Sequence, residues 1–228
     1  MRAALLMAFI FGLSSVVDAQ ESVLDRRIKA GTPGAAAVWL PDAVSSGMFA
    51  WRIAESAGVP LVFEASPLDY RDPAIVAQRF DLDGLTVREA LDSLVAQDQR
   101  YRWETRDGVV VIRPNQIIAD AGDALNQRVV AVRVERVGLE DVLTRATAAV
   151  VGRGVSPTSL PPTTARQEFA LDAPSGTVLD LLVAAARAHG RVMWLTPDAA
   201  RGPDQSGFSI GFRTFADAAD GVPNGAAR

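Results

Sequence analysis

A block of sequence that occurs twice constrains the fold of this chain more than any other feature. The first copy, FDLDGLTVREALDSLVAQDQRYRW, runs from Phe80 to Trp103; the second, FALDAPSGTVLDLLVAAARAHGRVMW, runs from Phe169 to Trp194. Each passes from a strand pattern, Phe-x-Leu-Asp, through an amphipathic helix into a second strand that carries a tryptophan. Aligning them takes one deletion before the helix and a short insertion after it. That marks duplication of a small fold and not the fixed period of a solenoid.

Local signals place further elements around the two copies. Ser45 and Ser46 stand where a helix N-cap belongs, with Phe49 and Ile53 one turn apart and Gly58 at the position of a left-handed C-cap. Leu61 to Ala65 reads as a strand, and Val76 to Leu82 as a half-buried one by its alternation. Thr86 and Glu89 form a T-x-x-E capping box ahead of the apolar stripe Val87, Leu91, Leu94 and Val95. Tyr101, Trp103 and Thr105 alternate with the charged row Arg102, Glu104 and Arg106, and Asp107-Gly108 is a hairpin turn signal before Val109 to Ile112.

In the second half, Val130, Val132 and Val134 alternate as a strand, and Leu139, Val142, Leu143 and Ala146 follow helical spacing. Leu179, Leu182, Val183 and Ala186 form a second helix face that ends at Gly190, and Val192 to Leu195 is expected to pair with Phe208 to Arg213. The expected class is α+β: two small βαββαββ-type domains, at 35–114 and 128–213, each a mixed sheet packed on helices. A flexible lead-in at 20–34, a polar linker at 115–127 and a disordered tail at 214–228 complete the plan.

The N-terminus reads as a secretory signal. Met1 and Arg2 precede an apolar run from Ala3 to Val17 that is too short to span a bilayer comfortably, and Val17-Asp18-Ala19 supplies small residues at a cleavage site between Ala19 and Gln20. No later stretch is long and apolar enough to cross a membrane. There is no cysteine, which removes disulfides, thiol chemistry and a lipid-anchored N-terminus. A formal charge of −4 argues against nucleic acid as a partner, since phosphates demand a basic face.

Catalytic signals are weak. The single histidine, His189, sits at a helix C-terminus, where a charged imidazole suits the helix dipole. The pairs Asp81/Asp83 and Glu140/Asp141 read as solvated faces, and Gly152-Arg153-Gly154 lacks the lysine and setting of a phosphate loop. No catalytic, metal or cofactor residues are assigned. Trp103 and Trp194 sit at equivalent repeat positions and read as core, whereas Trp39 and Trp51 are candidates for an exposed aromatic surface.

Three segments of the first block carry a family resemblance: the helix-to-strand run IAESAGVPLVFEAS, the run FDLDGLTVREALDSLVAQ and the closing hairpin YRWETRDGVVVIRP. In order and spacing they resemble the short N-terminal domain shared by secretins and TonB-dependent receptors (the STN domain), over about 80 residues. The second block, from Arg128 to Phe212, is similar to a divergent copy or a related secretin-type ring-forming domain. The resemblance implies a non-catalytic periplasmic module that docks an envelope protein of an inner or outer membrane apparatus, with homo-oligomerisation left open. No barrel, plug or secretin channel follows the two modules in this sequence. Arg102, Glu104 and Arg106 are the interaction candidates. An alternative reading is a soluble periplasmic protein that holds a glycan or small apolar ligand in a groove between the modules.

Overall fold

The structure is a computed structural model and describes residues 23–28, 46–66, 82–150, 167–196 and 210–215. The first block contains helix α1 (Ser46–Ala57), strand β1 (Leu61–Glu64), helix α2 (Val87–Gln97) and the hairpin of β2 (Tyr101–Arg106) and β3 (Val109–Pro114). The second contains β4 (Arg128–Val129), β5 (Val132–Val137), α3 (Leu139–Ala149), β6 (Phe169–Ala173), β7 (Gly176–Thr177), α4 (Val178–His189), β8 (Val192–Thr196) and β9 (Gly211–Thr214).

The class is α+β, and the two blocks share a sheet. Five strands lie in the order β2-β3-β1-β8-β9. β1 runs parallel to β3 on one side and to β8 on the other, with Leu61 opposite both Val110 and Met193. The β2–β3 and β8–β9 pairs are antiparallel. Two separate mixed sheets were the expectation; direct pairing of β1 with β8 joins them. Short ladders β4–β7 and β5–β6 stand outside this sheet.

Each face of the sheet carries its own core. On one face Phe49 and Ile53 of α1 and Val87 and Leu91 of α2 pack with Leu61, Phe63, Val110, Ile112 and Met193. On the other, Leu139, Val142 and Leu143 of α3 and Leu179 and Leu182 of α4 pack with Val62, Val109, Val111, Trp194 and Phe212. Helices on both sides explain why β1 and β3 are buried throughout and carry apolar residues without alternation.

Local sequence chemistry sets the element boundaries. Thr86 and Glu89 close the capping box, the Thr86 Oγ1 accepting from Glu89 N–H at 3.2 Å and the Glu89 carboxylate accepting from Thr86 N–H at 2.7 Å. Thr177 and Asp180 repeat the device on α4. Asp107 and Gly108 both take positive φ in the β2–β3 turn, and Gly190 ends α4 in the left-handed region.

Four expectations are corrected. The lead-in is anchored: Val23, Leu24 and Ile28 are buried, Ile28 N–H donates to the Leu85 carbonyl, and Arg27 bridges Thr86. Burying those side chains against α1 and α2 outweighs the entropy of a free segment. The polar linker 115–127 is a run of turns closed by Asn126, whose amide donates to the Ile118 and Asp120 carbonyls, with Ala124 and Leu125 buried. The tail begins ordered, since Thr214 belongs to β9 and Phe215 is buried against Trp51. The strand of the second block starts at Val132 and leaves Val130 81% exposed. The signal segment with its Ala19–Gln20 cleavage site, the strands expected near 35–40 and 76–81, Trp39, the loop 151–166 and the tail after 215 lie outside the described residues.

Candidate functional site: the open edge and a buried ionic knot

β2 forms one margin of the five-stranded sheet, and no described strand lies on its outer side. Its alternation divides it by face. Tyr101 is buried toward α1 and α2, its hydroxyl accepting from Ser66 N–H at 2.7 Å. Trp103 lies on the same side, half-buried, with its Nε1–H donating to Asp92 at 3.0 Å and Arg88 over its ring. The other side carries the charged row. Arg106 pairs with Glu104 at 2.6 Å and approaches Asp180 of α4 at 3.5 Å. Arg102 is exposed and pairs with no described side chain. The three candidates therefore share one face, but only Arg102 offers an unengaged charge.

Between the blocks, β1 and β8 pair directly, so the two meet strand to strand along this line. Trp51 is engaged as well, edge-on to Phe215 and under the Arg213 guanidinium at 5.4 Å. His189 is buried against Phe169, and its Nδ1 accepts from Arg191 N–H at 3.3 Å. Burial, and secondarily the charge of Arg191, holds its pKa below the usual histidine range, so the imidazole is neutral and not the dipole-paired cation expected from sequence.

A second charged feature escaped the sequence reading. Arg113, near the end of β3, is 4% exposed and donates through Nε to Glu64 at the end of β1. Its Nη2 donates to Asp123 at 2.9 Å and its Nη1 to Asn126 at 3.1 Å. One guanidinium thus ties two neighbouring strands to the 115–127 turns. The signal was present in LVFE and VVVIRP, apolar strands that end in opposite charges.

Burial pushes Glu64 up to about 8, against the opposing pull of Arg113. The folded state therefore holds this proton more tightly than the unfolded chain, whose glutamate titrates near 4.5. The Glu64 contribution to stability is complete below that value and is lost as pH rises toward 8. Urea midpoints measured from pH 4.5 to 8 should fall along this component in the wild type and lack it in Glu64→Gln. Parallel curves for the two proteins would show that Glu64 ionises as it does when unfolded.

Set against protein-family models, curated proteins and solved structures, the chain matches none of them.

Proposed function

We propose that the chain is an exported, non-catalytic docking module of the bacterial cell envelope, binding a protein of a secretion or TonB-type uptake and signalling system. The partner lays an extended segment along the outer edge of β2. The observation that carries this reading is the six-residue margin itself. It is a regular strand without proline or bulge, anchored from behind by Tyr101 and Trp103 and bounded by no described strand. Main-chain N–H and C=O groups along such an edge supply affinity, and flanking side chains set register. Arg102 gives the edge an available positive charge, suited to an acidic residue on the incoming strand. The secretory N-terminus and the likeness of residues 35–114 to the STN domain support an envelope setting.

The test is affinity capture from envelope extract under mild conditions, with the mature protein and its Arg102→Glu variant as paired baits. A membrane-associated protein should be enriched by the wild type and reduced about tenfold by the charge reversal, as expected for loss of one charge-assisted contact. Equal recovery by both baits, or none by either, would sink the reading.

A further inference from the structure

The two blocks are related by a regular step across the sheet. In the first, β2 pairs with β3 so that Trp103 faces Ile112; in the second, β8 pairs with β9 so that Trp194 faces Phe212. Those tryptophans are the equivalent residues of the repeat, so β8 and β9 stand for β2 and β3. The residue after Ile112 is Arg113 and the residue after Phe212 is Arg213. The two arginines therefore occupy the same place in their blocks.

Their orientation agrees. Arg113 projects to the face opposite its own helices α1 and α2, toward Asp123. Arg213 projects to the face opposite its own helices α3 and α4, over Trp51 of α1. A translation of three strands with a half-turn about the direction across the sheet carries one block onto the other.

That operation exposes one mismatch. In the first block, β1 lies parallel to β3, and its Glu64 receives the Nε–H of Arg113. In the second, no described strand lies beyond β9, and the Nε–H of Arg213 is buried without a hydrogen-bond partner. The place that β1 fills beside β3 has no described counterpart beside β9. The segment at the matching point of the second block, 151–166, contains Pro157, Pro161 and Pro162 and neither aspartate nor glutamate. It cannot supply the carboxylate.

We propose that the outer edge of β9 is a second binding site, which accepts an extended segment of another protein running parallel to β9. That segment carries apolar residues followed by a glutamate or aspartate, whose carboxylate pairs with Arg213. The incoming strand repeats the role of β1: its backbone continues the sheet, and its acidic residue satisfies a guanidinium donor that is otherwise buried and unpaired. This site is independent of the β2 margin.

The probe is a fluorescent peptide of residues 58–66, GVPLVFEAS, which is the β1 segment itself, added to the full chain and followed by fluorescence polarisation. Saturable binding is expected, weakened at least about tenfold when the peptide carries Glu64→Gln, the cost of one charge-assisted contact. Arg213→Gln protein, checked for an unchanged circular dichroism spectrum, should bind both peptides equally and weakly, while Arg102→Glu protein should bind as the wild type does. The peptide substitution leaves the protein intact, so the comparison survives even if Arg213 variants fold poorly. Equal affinity of the two peptides for wild-type protein, no saturable binding, or loss of binding with Arg102→Glu would overturn the proposal. A wild-type dimer that excludes the peptide and becomes monomeric with Arg213→Gln would overturn it too, by placing a second copy at this edge.

Discussion

Replacing Arg113 by methionine is expected to lower the unfolding free energy by about 3–5 kcal/mol, the cost of removing one partner from a buried ionic cluster. The guanidinium engages Glu64, Asp123 and Asn126 while almost wholly withdrawn from water. Methionine fills much of the same volume, so the loss reports orphaned carboxylates more than a cavity. Two features separate this from a packing defect. The double variant Arg113→Met/Glu64→Leu should be more stable than the single variant at pH 8, because it removes the more deeply buried of the two carboxylates left without their guanidinium. The single variant should also lose less at pH 5 than at pH 8, where Glu64 ionises against burial. Urea denaturation of the three proteins at the two pH values measures both. A loss below about 1 kcal/mol at either pH would mean that the cluster is a weakly coupled surface-type contact.

Trp194→Ala is expected to cost about 3–5 kcal/mol, as for a large aromatic removed from a close-packed core. Trp194 is fully buried in β8, edge-on to Phe212 at 5.5 Å, within the face that α3 and α4 cover. Its indole N–H has no hydrogen-bond partner. Trp194→Phe therefore removes an unsatisfied donor along with part of the ring and should cost less than about 1.5 kcal/mol. Thermal melts of the two variants decide the matter. A phenylalanine variant as damaged as the alanine one would show that the indole N–H is satisfied in solution.

The sequence was legible wherever a local rule acts alone. The capping box at Thr86, the turn at Asp107-Gly108, the C-cap at Gly190 and the apolar stripes of helices α1 to α4 are set within a few residues, and each appears where the spacing predicts. What joins distant segments was not legible. Val-Met-Trp-Leu in β8 is apolar at every position, and such a run looks alike whether it edges a small sheet or lies inside a larger one. The unbroken apolar runs Leu61 to Phe63, Val109 to Ile112 and Val192 to Leu195 were the available hint that both faces are covered. Ile28 was overlooked because VLDRRI is too short to show a period, yet its burial is nearly complete. Arg113 and Arg213 read as charged strand ends; their meaning lies in neighbours contributed by other parts of the chain.

The pairing of Leu61 with Met193 has a consequence for how the chain is made. Synthesis delivers β1 long before β8, so the early half emerges with one flank of β1 bare. Bringing contacts so far apart in sequence together is slow, and an uncovered apolar strand is prone to join neighbours of its own kind meanwhile. A nascent chain halted short of Val192 thus leaves the apolar flank of β1 uncovered, a sticky intermediate.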